Sequence, residues 1–373
     1  MNRKMLVSYL LFFYVISIGI APALAQEPVA PVPASAFDPH VDLSNGYFVE
    51  EISSIGKAFA VAQEPVAPVP ASAWDPDVDL SNGYFVEEIS DGLYWATDGT
   101  YQIMFLTTGE GVIVVDAPPS MAAVILTAIA DVTDEPITHV IYSHSHADHI
   151  GGAGIYPEDA IYIAHEDTAA QLERAMGAEN PTYGVFVGGG AVPLPTETFS
   201  ESYTLEVGNQ VLELEYRGII HEPGNIFIYA PQQKVLMLVD VIIPGWVPFS
   251  QLNLAEDVPN FYTAHDEVLS YDFETFIGGH MGRLGTREDV ETQQEYLLEI
   301  RENAANALAT TDFFAIAEEV GFENRWLLVD TYLDRVAQAC TDATVPNWVG
   351  RLAAADVFTY SHCWTVMESL RID

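Results

Sequence analysis

Short apolar runs separated by polar and turn-forming residues follow one another along residues 84–115, a pattern typical of β-strands. The runs YFVEEISDGLYWAT and YQIMFLTTGEGVIVVD predict strands in an antiparallel meander, and the Gly-Glu-Gly sequence at 109–111 predicts a turn between two of them. Ser120 is expected to cap a helix that runs to about Ile129. The short apolar runs THVIYS and IYIAHE predict further strands.

Two hairpins and a helical tail follow from the rest of the pattern. YTLEVGNQVLELEYRGI alternates around a Gly-Asn turn, and NIFIYAPQQKVLMLVD reads as a second strand pair. Thr286 and Asp289 form a capping box that predicts a long helix, and two or three more helices are expected over 312–373. Strands and helices are therefore mixed along the chain, which indicates an α/β (α+β) fold.

The first 25 residues have the pattern of a secretory signal peptide. A positive start precedes a long apolar run, and Ala23-Leu24-Ala25 resembles a cleavage site. Pro22 and the small residues end the run early for a retained membrane anchor. We expect the mature protein to be secreted or periplasmic and not attached to a membrane.

Residues 25–53 recur almost unchanged as residues 62–90. Two copies are fewer than a solenoid needs, so the repeat indicates a tandem duplication or an error in the assembled sequence. Each copy opens with a Pro- and Ala-rich segment that suits an extended linker. We expect 26–61 to be dispensable and the second copy to lead into the folded domain.

The sequence thus predicts four parts. They are a signal peptide (1–25), a duplicated linker (26–83), a main domain (84–290) and a helical C-terminal extension (291–373).

The charge of the chain excludes some partners. Its 373 residues include 54 acidic and 13 basic ones, a surface that repels the phosphates of nucleic acid. We expect a small molecule as the partner, and the oligomeric state is left open. The two cysteines, Cys340 and Cys363, form a candidate disulfide in an exported protein.

The stretch IYSHSHADHIGG, residues 141–152, points to metal binding. His144 and His146 are two apart at a strand end, so both side chains can point at one ion. Asp148 and His149 follow where the chain turns, and they can point at a second ion. The two glycines behind them permit the turn.

The pattern H-x-H-x-D-H followed by glycines resembles the signature of the metallo-β-lactamase superfamily, a family of hydrolases with a four-layer αββα sandwich. The family pattern has three further ligands at strand ends, which match His221 in GIIHEPGN, Asp240 in KVLMLVD and His280 in FETFIGGH. The resemblance covers about residues 84–290. Glu222 stands where a threonine is common and Val239 where a glycine often precedes the aspartate, departures that leave the ligand count intact.

This resemblance implies a dinuclear site. Metal one would be held by His144, His146 and His221, and metal two by Asp148, His149 and His280, with Asp240 and a hydroxide between them. Imidazole and carboxylate ligands suit two zinc ions better than iron or manganese. Two divalent cations outweigh two aspartates and a hydroxide, so the site would be net positive. Asp148 would also orient the hydroxide or protonate the leaving group.

Other residues have both a functional and a structural interpretation. Asp116 ends VIVVD and matches the aspartate that fixes a ligand histidine in the family, or it is a strand-end turn residue. Arg283 binds a substrate carboxylate or is solvated. Four aromatic residues either line or cover the substrate cleft or simply pack: Trp246, Phe249, Tyr183 and Phe186. His139 and His165 are expected to pack in the core.

The residue at 240 bears on the substrate. Zinc β-lactamases of the family mostly have cysteine or serine there, whereas lactonases, thioester hydrolases and phosphodiesterases keep the aspartate. We therefore expect an exported dinuclear zinc hydrolase that cleaves an ester or lactone, such as an N-acyl homoserine lactone. β-Lactam hydrolysis and sulfate-ester hydrolysis remain alternatives, and an iron redox protein or a non-enzymatic binding protein fits the full ligand set less well.

Overall fold

Two β-sheets face each other in this protein, and helices cover their outer sides. The computed structural model describes residues 66–177, 185–189 and 192–373. The predicted signal peptide, the first copy of the repeat and Tyr183 lie outside the described residues.

The first sheet has seven strands in the order β1-β2-β3-β4-β5-β6-β7. Strands β1 to β4 pair antiparallel, as the meander predicts, and β4 to β7 pair parallel. The strands are β1 Phe85–Ser90, β2 Leu93–Thr97, β3 Gln102–Thr107, β4 Val112–Val115, β5 Ile137–Ile141, β6 Ile161–His165 and β7 Glu197–Phe199.

The second sheet has five strands in the order β12-β11-β10-β9-β8. Both predicted hairpins are present, and the last strand joins the sheet parallel to its neighbour. The strands are β8 Ser202–Val207, β9 Gln210–Glu215, β10 Phe227–Ala230, β11 Val235–Met237 and β12 Thr275–Ile277.

Three apolar cores separate the layers. One lies between the sheets and includes Trp95 and Met237; the second lies under the helices outside the first sheet. The third joins the second sheet to the C-terminal helices and includes Phe276 and Ile300. This alternation of helix, sheet, sheet and helix confirms the predicted αββα fold. The helices are α1 Ile125–Ala130, α2 Ala147–Ile150, α3 Glu166–Gly177, α4 Val258–Ser270, α5 Arg287–Thr310, α6 Phe313–Val320, α7 Arg325–Trp348 and α8 Ala355–Ile372.

The first helix begins later than the sequence predicts. It starts at Ile125, and Ser120 lies before it in a series of turns. The Ser120 hydroxyl donates a hydrogen bond to Asp98 at 2.6 Å and therefore serves a tertiary contact, not a helix cap. The prediction of a Ser120 cap was wrong.

Two helices in the middle of the chain were not predicted. Helix α3 follows β6 directly, and no turn residue between them indicates in the sequence that a helix begins. Helix α4 had a readable signal: Asp257 accepts a hydrogen bond from the Asn260 N–H, and Pro259 lies in the first turn. Both are favoured helix starts.

The C-terminal helices share a core with the second sheet. Helix α5 starts at the predicted capping box of Thr286 and Asp289, and it runs across the boundary at 290/291. Val290 and Ile300 of α5 pack in the same core as Phe276 of β12. Cys340 and Cys363 form a disulfide that joins α7 to α8. Among the described residues, no helix is long and apolar enough to cross a membrane.

The second copy of the repeat contributes to the folded domain. Its Ala67 N–H donates to Asp356 of α8, and its Trp74 ring packs edge-on against Trp246 with 5.2 Å between ring centroids. Its last residues form β1, the edge strand of the first sheet.

Candidate metal centre

The histidine motif fills the loop between β5 and α2. Residues 142–146 follow the end of β5 at Ile141, and His146 immediately precedes α2, which carries Asp148 and His149. The backbone turns too tightly behind them for a side chain at Gly151, because a Cβ there would lie 2.4 Å from the Ala147 carbonyl.

Strand ends of the second sheet supply the other three predicted ligands. His221 lies between β9 and β10, Asp240 follows β11, and His280 follows β12. Asp240 has a left-handed φ of 64°, which turns the chain away from the sheet. The structure brings all seven predicted ligands together as two neighbouring groups: His144, His146, His221 and Asp240 in one, and Asp148, His149 and His280 in the other.

The Asp240 carboxylate lies between these two groups. Its Oδ2 is 3.5 Å from His144 Nε2 and 3.3 Å from His221 Nε2, both in the first group. The same oxygen is 3.1 Å from His149 Nε2, and Oδ1 is 2.9 Å from His280 Nε2, both in the second. This is the placement that a bridging ligand requires.

The nitrogen atoms of the histidines converge in the way that a metal site requires. His146 Nδ1 lies 2.9 Å from His221 Nε2, and His149 Nε2 lies 3.1 Å from His280 Nε2. His144 Nε2 is buried without a hydrogen-bond partner. Burial lowers the pKa of His221 to about 3, which keeps the ring neutral and able to bind a cation. The residues therefore fit divalent metal ions.

Tyr101 is a residue of this site that the sequence analysis missed. It precedes β3, and its ring packs on His280 with 4.7 Å between centroids. The phenol donates a hydrogen bond to Asp148 Oδ2 at 3.4 Å. Burial and the nearby carboxylates raise its pKa, so the phenol stays protonated and remains a donor. A single tyrosine beside an ordinary strand gives no motif that could have identified it.

Glu222 contacts the predicted ligand His146 directly, a contact that the sequence analysis did not predict. Its buried carboxylate accepts hydrogen bonds from the Ser145 N–H at 2.6 Å and from the Ser145 hydroxyl at 3.1 Å. Its Oε2 lies 3.1 Å from His146 Nε2. Burial opposes the charged form, but His146, His144 and His221 together outweigh burial and lower the pKa of Glu222 to about 2. This third carboxylate offsets the excess positive charge expected for a dinuclear site.

Asp116 lies behind the ligands at the end of β4. Its Oδ1 accepts a hydrogen bond from the Ser143 N–H at 2.8 Å, and its Oδ2 is buried without a partner. Burial raises its pKa, and the positive charge of His149 acts in the opposite direction. Since the Nδ1 atom of His149 is also buried without a partner, the two groups suit the predicted contact in which Asp116 fixes a ligand histidine.

The predicted substrate residues have partners elsewhere in the fold. Arg283 forms an ion pair with Asp289, with 2.5 Å between the nearest atoms, and its side chain is mostly buried. Trp246 donates from its indole N–H to the Ala73 carbonyl at 3.1 Å, against the second repeat copy. Phe249 packs on Phe358 of α8 with 5.0 Å between ring centroids.

The glycine-rich segment lies beside the histidine loop. Val187 pairs with His146 in an antiparallel bridge, and the Gly188 N–H donates to the Ser145 carbonyl at 2.8 Å. Phe186, in the same segment, is exposed. His165 is buried against Tyr216, and half-buried His139 bonds to the neighbouring Thr138, so both have structural contacts.

Comparison with known proteins identifies the family. Residues 96–269, which include six of the seven predicted ligands and all but the last strand of the second sheet, match the profile of the metallo-β-lactamase superfamily. The domain that contains residues 96–269 belongs to the metallo-β-lactamase superfamily. The predicted family is confirmed, and it is a family of metal-dependent hydrolases.

The relatives of this chain differ in the activities that their names give. The α subunit of 2,4-dinitroanisole O-demethylase from Nocardioides sp. (strain JS1661) is 27% identical over 208 residues, which cover 53% of this chain and 58% of the relative. A type 2 metallo-β-lactamase from Bacillus sp. (strain 170) is 28% identical over 135 residues, 36% of this chain and 47% of the relative. The chain thus matches about half the length of these curated relatives.

A solved structure extends the likeness in fold. The inverting sec-alkylsulfatase Pisa1 from Pseudomonas sp. matches with a TM-score of 0.52 and 17% identity, over 77% of this chain and 50% of the sulfatase. At this identity the match establishes a shared fold and nothing about the substrate.

Proposed function

We propose that this protein is an exported dinuclear zinc hydrolase that cleaves an uncharged ester or lactone, such as an N-acyl homoserine lactone. The observation that carries the proposal is the position of Asp240, whose two carboxylate oxygens face histidines of both groups. A carboxylate in that position supports two metals close together. The nitrogen-rich ligand set favours zinc.

The chain's own residues would divide the work. Two bound zinc ions would lower the pKa of a shared water molecule and polarise a carbonyl group. Asp240 would fix the separation of the ions, and Asp148 would orient the water. The Tyr101 phenol, bonded to Asp148, is placed to donate a proton or a hydrogen bond to the leaving group.

The charge of the site supports an uncharged substrate. Glu222 adds a carboxylate at His146, and the arginine nearest in sequence to His280 is paired with Asp289. The three lysines of the chain are Lys4, Lys57 and Lys234, and the last is paired with Asp272 and Glu274. Neither Arg283 nor Lys234 is therefore a free cationic partner for the carboxylate of a β-lactam or the charge of a sulfate ester.

The names of the relatives do not identify the substrate of this protein. They include an ether demethylase and β-lactamases, so β-lactam hydrolysis is the second candidate. The presence of aspartate at 240 argues against it, as does the pairing of Arg283. Export rests on the pattern of the first 25 residues.

A panel of substrates tests the proposal. Zinc content of the purified protein is measured first, and about two ions per chain are expected. Turnover of 4-nitrophenyl acetate, its anionic counterpart 4-nitrophenyl hemisuccinate, a homoserine lactone, a β-lactam and an alkyl sulfate is then compared. The uncharged ester and lactone should be preferred, with activity lost to a chelator and restored by zinc. Preference for the hemisuccinate, the β-lactam or the sulfate would contradict the uncharged-substrate proposal.

A further inference from the structure

Three buried side-chain amides hold consecutive backbone carbonyls on either side of Asp240. We call this group the amide clamp; it consists of Asn225, Asn253 and Gln293. The distances are 3.0 Å from Asn225 Nδ2 to the Val239 carbonyl, 2.8 Å from Asn253 Nδ2 to the Asp240 carbonyl and 2.9 Å from Gln293 Nε2 to the Val241 carbonyl. The chain has left the sheet here, so side chains replace strand neighbours as hydrogen-bond donors.

The amide of Gln293 is fixed in orientation by its other contacts. Its Oε1 accepts a hydrogen bond from the Ile243 N–H at 3.0 Å, and its Nε2 lies 3.1 Å from the Nε2 of buried His265. Gln293 belongs to α5, in the helical C-terminal part of the chain. One side chain therefore bonds to the backbone on the carboxyl side of Asp240 at two positions.

Asn253 is held in an uncommon backbone conformation. It belongs to a short turn, Ser250–Leu254, in which residues 251–254 all have φ between 54° and 60°. Consecutive left-handed residues other than glycine are disfavoured and persist only where surrounding contacts hold them. The Asn253 side chain also accepts a hydrogen bond from the Phe249 N–H, which locks its amide toward Asp240.

Helix α8 supplies contacts that hold this turn. The Ser361 hydroxyl accepts a hydrogen bond from the Gln251 N–H at 3.0 Å, and His362 Nε2 lies 2.9 Å from the Phe249 carbonyl. Apart from exposed Leu254, the turn and both of its anchors are buried or half-buried. A chain of direct contacts thus runs from α8 through the turn to the backbone of Asp240.

We propose that the amide clamp positions Asp240 for metal binding, and that helices α5 and α8 are thereby functional parts of the metal centre. This proposal rests on the bridging role of Asp240 in the proposed function. Asn225, Asn253 and Gln293 are positioning residues, since they act through the backbone of Asp240. The alternative is that they only satisfy buried carbonyls and contribute to stability.

Zinc titration of the full-length, chelator-stripped protein separates these roles. Gln293→Met removes one amide of the clamp at similar size. Asn253→Asp keeps the acceptor for the Phe249 N–H but has no donor for the Asp240 carbonyl. The matched control is Gln210→Met, because Gln210 is also buried and donates to the Asp91 and Thr107 carbonyls, at 2.8 and 3.2 Å, outside the metal centre.

We expect both clamp variants to bind the weaker zinc ion about tenfold to a hundredfold less tightly, as loss of outer contacts to a metal ligand commonly does. Gln210→Met should keep both zinc affinities even though its melting temperature falls. The visible spectrum of the cobalt(II)-loaded protein should change in the clamp variants only.

Wild-type zinc affinities and cobalt spectra in Asn253→Asp and Gln293→Met would overturn the proposal while leaving the proposed function intact. If Gln293→Met does not fold, Asn253→Asp alone decides. A wild-type protein that binds no zinc would instead refute the metal site itself, and with it any role of the clamp there.

Discussion

Replacing Glu222 by glutamine tests whether this buried carboxylate controls the state of His146. In the fold, Glu222 faces four donors: the N–H and hydroxyl of Ser145, the Nε2 atom of His146 and, at 3.5 Å, the side-chain amide of Gln171. An anionic partner at Nε2 keeps the proton on that nitrogen and leaves Nδ1, the atom that faces His221, free to bind metal. A glutamine NH₂ group can instead donate to Nε2 and favour the opposite tautomer.

The structure sets the expected magnitude. A pKa of about 2, against an ordinary value of 4.5, corresponds to roughly 3 kcal/mol in favour of the ionised carboxylate in the metal-free fold. Glutamine retains one acceptor for the Ser145 N–H, worth about 1 kcal/mol, so the net loss should be roughly 2 kcal/mol. Because the folded pKa is depressed, this stability is present above pH 4.5 and is lost as the pH falls toward 2.

Two measurements on Glu222→Gln check this reasoning. Urea unfolding of metal-free protein at pH 7 should show the loss of stability, and at pH 3 the difference from wild type should shrink. Zinc titration should show one site weakened about tenfold to a hundredfold.

Glu256→Gln is the matched control. Glu256 is a neighbouring carboxylate. Burial and the charge of Glu222 both raise the pKa of Glu256, so removing the charge of Glu256 should not weaken the fold. Equal loss of zinc affinity in both variants would mean that only the overall charge matters. Unchanged zinc affinity in Glu222→Gln would refute the tautomer argument.

Three further predictions concern other parts of the chain. Tyr101→Phe removes the hydrogen bond to Asp148, so kcat should fall by about tenfold while zinc content stays the same; unchanged kcat would exclude Tyr101 from the chemistry. Burial lowers the pKa of His362 to about 4, so the stability that neutral His362 contributes is present above pH 6.5 and is lost toward pH 4. In metal-free protein, His362→Asn should therefore flatten the dependence of the urea midpoint on pH between these two values. A protein that begins at Ala62 should keep its melting temperature and activity, since the described contact of Trp74 with Trp246 belongs to the second copy; loss of the thermal transition would assign a structural role to the first.

The sequence was most informative where local spacing carries the chemistry. The strands of both hairpins, the meander and the capping box depend on neighbouring residues, and all are present in the structure. The family and its fold were confirmed for the same reason, because H-x-H-x-D-H is a compact motif. Ser120 failed as a helix cap because its hydroxyl bonds to Asp98, 22 positions earlier, and local propensity gives no warning of such a contact.

Contacts between distant residues account for what could not be predicted at the site. Glu222 was recognised as a departure from the family pattern, but only the folded chain places it 3.1 Å from His146, 76 positions away. Arg283 has no sequence signal that separates a substrate ligand from a residue paired with Asp289. Tyr101 reaches Asp148 because β3 begins beside His280, a bridge that depends on the topology of both sheets.

The amide clamp shows why a motif is an incomplete description of a metal centre. An aspartate after β11 becomes a bridging ligand only if its backbone leaves the sheet at a left-handed φ, which costs free energy for a residue other than glycine. The three side-chain amides of the clamp lie between 15 positions before Asp240 and 53 positions after it in the sequence. They donate to the carbonyls of residues 239–241 and hold the backbone in this conformation. The identity of the ligand therefore depends on neighbouring residues, whereas its geometry depends on residues distant in the sequence. A domain cut at residue 290 would keep every ligand but lose Gln293 and the anchors on α8.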